Sequence, residues 1–282
     1  MNRALVLLVT GTFWALMMTA LVRREILPYF EYQAPPTYRS MFRDRRQPEL
    51  ERRAVYFGTE KRGHVESLFE PLPNGHYRTR TRIDIRLTVG KMGDFPLAMR
   101  WETNVDAAFQ LADFAMETDL VGMPFKMSGF RRGDKLIVKT GGGVPKGAPS
   151  EIDFPRDMTL GDGFVPYAGG AKLAVGKKWL VTTLDMTLAG VQPTRVFARV
   201  ERRESKKWRG KEVPCYVVEI RKRENDDLAW HTLWVNEEGV VLVEQMTFDK
   251  LLYTVVLEEK QVITPDQAKA WIWDPKERKK SD

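Results

Sequence analysis

Hydrophobic and polar positions alternate along most of this chain with a period of two. The run HYRTRTRIDIRLTV, residues 76–89, is the plainest case. Tyr77, Thr79, Thr81, Ile83, Ile85, Leu87 and Val89 form one face, and Arg78, Arg80, Arg82, Asp84, Arg86 and Thr88 form the other. Successive side chains of a strand point to opposite sides, so this pattern predicts a half-buried strand. LAWHTLWVNEEGVVLVEQMTF, residues 228–248, repeats the alternation on both sides of Asn236-Glu237-Glu238-Gly239, which predicts a hairpin. Further strand-like runs include RAVYFG, HVESLFE, FQLADFAMETDL, PFKMSGF, KLIVKT, KKWLVTTLDM, TRVFARVERRE, VPCYVVEIRKR and KLLYTVVLEEKQVI. About eleven strands joined by short turns, with no long helix between them, predict a mainly β fold: a curved antiparallel sheet, or half-barrel.

Three stretches depart from that period. ALVLLVTGTFWALMMTALV, residues 4–22, holds no charge over 19 positions. At ~1.5 Å per residue such a helix reaches roughly 28 Å, close to the thickness of a bilayer's hydrocarbon core. A cleaved signal peptide is the alternative, but it calls for a shorter apolar region and a small-x-small cleavage site. The best candidate here, Met18-Thr19-Ala20, has Met where a small residue is needed. A retained signal-anchor, one N-terminal transmembrane helix, is therefore expected. A Gly/Pro-rich passage from Gly141 to Gly170 interrupts the strands, and Thr264-Pro265-Asp266-Gln267 carries the signature of a short capped helix. The expected organisation is an anchor over 1–22, a juxtamembrane linker over 23–52, an antiparallel β domain over 53–263, and a short helix and tail over 264–282.

The net charge of +7 could indicate nucleic acid, but its distribution argues otherwise. Ten Lys/Arg and six Asp/Glu between Arg23 and Gly63 leave +4 just after the apolar segment. Arg23 and Arg24 are placed to contact anionic headgroups, so a membrane and not nucleic acid is the expected partner. Counting Lys/Arg alone would leave the large domain in the cytoplasm, yet long C-terminal domains translocate largely regardless of charge. These residues leave the orientation open.

Candidate chemistry is sparse, and no catalytic residue, cofactor or metal is expected. GGAKLAVGKKW lacks the spacing of a phosphate loop. Arg132-Gly133-Asp134 reads as a hairpin turn. Cys215, the one cysteine, lies in a strand, where a free thiol behaves as a small core residue. His64, His76 and His231 form no metal-ligand spacing. His231 shares a face with Leu233 and Val235 and reads as a packing residue, while Trp230 and Trp234 read as core. Two features stand out. Arg78, Arg80, Arg82 and Arg86 line one strand face, either paired across strands with acids such as Glu66, Glu117 or Asp119, or forming a patch for an anion or an acidic partner. Ile152, Phe154, Met158, Leu160, Phe164, Val165 and Tyr167 lie within the Gly/Pro-rich passage, more apolar surface than a solvated loop needs.

Gly176-Lys177-Lys178-Trp179 ahead of one strand, and Trp234-Val235-Asn236-Glu237-Glu238-Gly239 at a late hairpin, resemble motifs of bacterial envelope proteins with the curved β-sheet of the outer-membrane lipoprotein carrier superfamily. The resemblance covers residues 53–262. It implies a half-barrel with an apolar concave face, which the seven apolar residues of the passage cover as lid or plug. It also implies a periplasmic domain held by a single pass in the bacterial inner membrane. Similar domains precede transglutaminase-like domains, and this sequence contains none. Two roles follow: a non-catalytic subunit docking onto a larger envelope membrane complex, or a module binding lipid or another apolar ligand on the concave face.

Overall fold

The computed structural model describes residues 3–22, 32, 35–88, 93–120, 123–142, 149–155, 158–160, 173–187, 190–248 and 251–271. Helix α1 spans Arg3–Leu21 and a short helix α2 spans Tyr38–Phe42. Then follow β1 (Glu49–Phe57), β2 (Glu60–Pro71), β3 (Tyr77–Thr88), β4 (Asp94–Val105), β5 (Leu111–Leu120), β6 (Met123–Arg132), β7 (Lys135–Gly142) and β8 (Ser150–Asp153). The second half holds β9 (Lys178–Thr187), β10 (Gly190–Trp208), β11 (Lys211–Arg221), β12 (His231–Asn236), β13 (Val241–Phe248) and β14 (Leu251–Val262), and α3 (Pro265–Ala270) closes the order. All fourteen strands join one antiparallel sheet in the order β8-β7-β6-β5-β4-β3-β2-β1-β14-β13-β12-β11-β10-β9. The two halves meet where β1 pairs with β14, with Val55 opposite Val255.

The expectation of about eleven strands is corrected to fourteen. The additional strands include β4 and β8. Pro96 lacks the N–H that a ladder requires, which hides β4 in the sequence, yet Pro96 lies opposite Arg86 at the end of the β3–β4 pairing. The expected transmembrane helix is corrected as well: among the described residues, no helix is long and apolar enough to cross a membrane. Val9, Phe13, Trp14, Leu16, Met17 and Leu21 of α1 are nonetheless exposed.

Register defines an inner face. Val65 lies opposite Ile83, Ile83 opposite Met99, and Trp101 opposite Met116, so β2 to β5 turn these residues to one side. Through β14 and β13 the same side carries Tyr253, Val255, Glu244 and Met246, and through β12 it carries His231 and Leu233. Val218, Ile220, Ala198, Trp179 and Val181 complete it in the second half. Alternation thus places the apolar row of β3 inside and its arginines outside, as a period of two requires. On the outer face α3 packs Ala268 against Leu50, Leu68 and Ile263. Its N-terminus is capped by Thr264, whose side chain accepts from Gln267 N while Gln267 accepts from Thr264 N.

Candidate functional site

The inner face is not uniform along its strands. At the end where β1 begins, it is filled by the chain's own side chains. Tyr38 and Phe42 of α2 are buried among Phe69, Trp101, Val105, Leu111 and Phe114. Phe42 stacks on Tyr77 with centroids 5.1 Å apart, and Tyr77 stacks on Phe109 at 5.3 Å. β8 and the passage after it enter the same cluster: Ile152, Phe154, Met158 and Leu160 are all buried there, and Leu184 of β9 joins them. Leu160 N donates to the Tyr38 hydroxyl at 2.9 Å, and Phe154 N donates to Asp134 O at 2.9 Å. The space left beside α2, lined by Tyr38, Met41, Phe42, Phe69, Thr79, Thr103 and Leu160, is about 10 Å³, too small for more than one water. Phe164, Val165 and Tyr167 lie outside the described residues, as do Arg23 and Arg24.

At the opposite end the same face is less covered. Phe57, Ile85, Leu87, Met99 and Met246 pack around Val55, Val65, Ile83, Tyr253 and Val255, but each remains half-buried. Phe125 of β6 is half-buried too.

Between these regions lies a charged cluster that alternation does not announce. Glu51 and Arg53 turn inward opposite Ser67 and Val65 and are almost completely buried. Arg53 Nη2 donates to Glu51 Oε2 at 2.7 Å and Nη1 donates to Val241 O at 3.0 Å. Arg45 lies over the Phe69 ring at 3.9 Å and reaches Glu51 at 3.8 Å, and Lys260 Nζ reaches Glu51 at 3.5 Å. Burial pushes the Glu51 carboxyl up, but Arg53, Arg45 and Lys260 outweigh it and hold the group below its usual value. A single strand's pattern could not reveal this, because Arg45 comes from the connector after α2 and Lys260 from β14.

The arginine row lies on the outer face. Arg80 donates to Glu70 at 3.3 Å and to Ala268 O at 2.9 Å, and its guanidinium sits over the Trp271 ring at 5.3 Å. It thus holds α3 against the sheet through a last-turn carbonyl. Arg82 pairs with Asp84 at 2.5 Å, and Arg78 donates to Asn104 at 3.3 Å and lies 4.0 Å from Glu102. Arg86 is exposed. Of the acids expected to pair with the row, Glu66 is taken by Arg52 at 3.0 Å, and Glu117 by Lys126 at 2.6 Å and Arg100 at 4.0 Å.

His231 and Glu244 are both buried on the inner face, with Nδ1 3.1 Å from Oε1. Trp230 tilts against His231 at 4.3 Å. Trp234 turns outward, buried with Val217 and Val243, and donates to Glu204 at 2.6 Å. Cys215 is fully buried in the same cluster, and burial raises its thiol above the usual value. Such a thiol is a poor nucleophile. Among the described residues there is no group of three or more His, Cys, Asp or Glu that could hold a metal.

No family model and no curated protein matches the sequence. Among solved structures, the chain is similar to a β-barrel-like protein of the domain of unknown function DUF1849 from Brucella abortus. The TM-score is 0.53 at 13% identity, over 78% of this chain and 99% of that one. The fold is barrel-like. A DUF1089 family protein from Pseudomonas aeruginosa matches at a TM-score of 0.35 and 14% identity, over 63% of this chain and 87% of that one. The likeness to the Brucella abortus protein supports a barrel-like β fold and does not single out the lipoprotein carrier superfamily.

Proposed function

We propose that the protein is a membrane-tethered binding module whose inner face takes an apolar ligand of the acyl-chain type at the end away from α2. The observation that carries this reading is the change in burial along that face. Tyr38, Phe42, Phe154 and Leu160 close one end, while Phe57, Ile85, Leu87 and Met246 stay half-covered at the other. Ligand sites are largely pre-formed apolar concavities, and each methylene buried in one contributes ~0.8 kcal/mol. Although no described helix is long and apolar enough to cross a membrane, the exposed apolar side chains of α1 support its role as a tether to one, with Arg23 and Arg24 at anionic headgroups and the barrel on the periplasmic side of a bacterial inner membrane.

Binding of a fluorescent fatty acid to the full chain in nanodiscs, measured against empty discs, tests the ligand reading. Saturable binding is expected, competed by phospholipid and lost in Leu87→Glu, which places a carboxylate on the half-buried rim. A folded protein without saturable binding would overturn it. The second reading is a non-catalytic subunit docking onto a larger envelope complex, and the filling of the inner face by Ile152, Phe154, Met158 and Leu160 favours it. On that reading a protein partner co-purifies and lipid does not. Protease added outside the inner membrane should reach the barrel under either.

A further inference from the structure

β10 is the longest strand, with 19 residues, and it outruns its neighbours. Its pairing with β9 stops at Arg199, and the pairing of β11 with β12 stops at Cys215. The hairpin beyond these points holds Arg202, Arg203, Lys206, Lys207, Arg209 and Lys211 against Glu201, Glu204 and Glu212. It is held firmly to the sheet: Trp208 lies opposite Lys211 across the turn, and its indole donates to Leu257 O at 2.5 Å. The two turn residues, Arg209 and Gly210, have φ of +49° and +79°. A two-residue hairpin turn with both φ positive favours Asn-Gly or Gly-Gly, because a longer side chain is disfavoured in the left-handed region. An arginine stands there against that preference, and a residue held in a disfavoured conformation at a loop tip is a pointer to function.

The charges of the hairpin divide into two groups. Arg202 pairs with Glu204 at 2.8 Å, Arg203 pairs with Glu237, and Lys206 sits over the Trp234 ring at 3.9 Å. Lys207, Arg209 and Lys211 are exposed and make no ion pair among the described residues, although Glu212 lies across from Lys207 in register. The Arg209 guanidinium lies over the Trp208 ring, 5.5 Å from its centroid. Antiparallel order puts this turn at the end of the sheet where β1 begins, the end from which the chain leads back through α2 to the exposed apolar side chains of α1.

We propose that the tip of the β10–β11 hairpin is a contact site for anionic lipid headgroups, with Lys207, Arg209 and Lys211 as the binding cations. This goes beyond the ligand reading and does not depend on an inner-face ligand. Three exposed cations that make no ion pair among the described residues suit a phosphate-bearing surface, each strengthening attraction to an anionic membrane and losing that effect as salt screens it. The arginine fork adds bidentate phosphate contact at the tip.

The full chain is reconstituted into nanodiscs of phosphatidylcholine alone or with phosphatidylglycerol, and lysine acetylation rates are read by mass spectrometry. Lys207 and Lys211 should react about threefold more slowly or less in the anionic discs, with protection lost at about 0.5 M salt. Lys61 and Lys126, at the opposite end of the sheet, should react alike in both. Arg209→Asn, which suits the turn, should leave the barrel folded and weaken the protection. Equal rates for Lys207 and Lys211 in the two disc types overturn the proposal, as does protection that extends equally to Lys61 and Lys126. Retention by neutral discs reports on α1 alone. A chain lost from both disc types overturns the proposal too.

Discussion

Gly129 on β6 has no room for a side chain. A Cβ there would stand 2.4 Å from Phe114 Cε1 and 3.2 Å from Ile137 O. Phe114 cannot swing clear, since it is buried and stacked on Trp101 with centroids 5.8 Å apart. Gly129→Ala should therefore cost about 1–3 kcal/mol through overpacking, read as a lower urea midpoint with an unchanged slope. Stability equal to the parent protein would show that the Trp101–Phe114 stack yields. Nothing in PFKMSGF marks this glycine, because its constraint comes from another strand. The arginine row was legible for the opposite reason: which face each arginine takes depends only on the local period. Its partners were not legible. Glu66 lies directly opposite Arg82, yet it bonds Arg52, while Arg82 turns along its own strand to Asp84. Cross-strand register sets who is within reach, and side-chain competition then decides, neither of which one strand displays.

Elements with an uninterrupted period were legible, and those that lean on distant packing were not. β3, β12 and β13 stand where alternation put them. β4 was hidden by Pro96, although Leu97, Met99, Trp101, Thr103 and Val105 alternate behind it. α2 lies in a stretch expected to cross the membrane interface as a linker, where Tyr and Phe suit headgroups as well as a core. The structure puts Tyr38 and Phe42 inside, and Tyr38 does more than fill space. Its hydroxyl accepts from the buried Leu160 N–H, joining α2 to the passage after β8. Tyr38→Phe leaves that N–H buried without its acceptor, a cost of about 1–3 kcal/mol. Hydrogen exchange at Leu160 should accelerate more than at Phe154, whose N–H bonds Asp134 O and is untouched by the change. Equal acceleration at both would mean that the passage opens as one unit and the hydroxyl is no specific latch.

At the scale of the whole molecule, β1 carries the junction between the two halves of the sheet, and Glu51 sits at that junction. It draws Arg45 from the connector after α2, Arg53 from β1 and Lys260 from β14 to one buried carboxylate. The same Arg53 reaches Val241 O on β13, so the cluster ties both halves together. Buried ion pairs seldom add net stability over an apolar filling, but breaking one is strongly unfavourable. The carboxyl lies below its usual value of 4.5 in the fold. A carboxylate with a depressed folded pKa contributes stability that is fully present above its unfolded pKa and is lost as pH falls through the folded one. Glu51→Gln keeps an oxygen to accept from Arg53 and removes the charge, so it isolates that contribution from the many other acids. The variant should be less stable than the parent at neutral pH, and the gap should narrow as pH falls below about 4.5, where the unfolded parent takes up a proton that the folded carboxylate still resists. Thermal unfolding of both proteins from pH 7 to pH 3 measures the gap directly. A gap that stays constant over that range would mean that the Glu51 carboxyl titrates alike in the folded and unfolded chain, and that hydrogen-bond geometry, not charge, holds the junction.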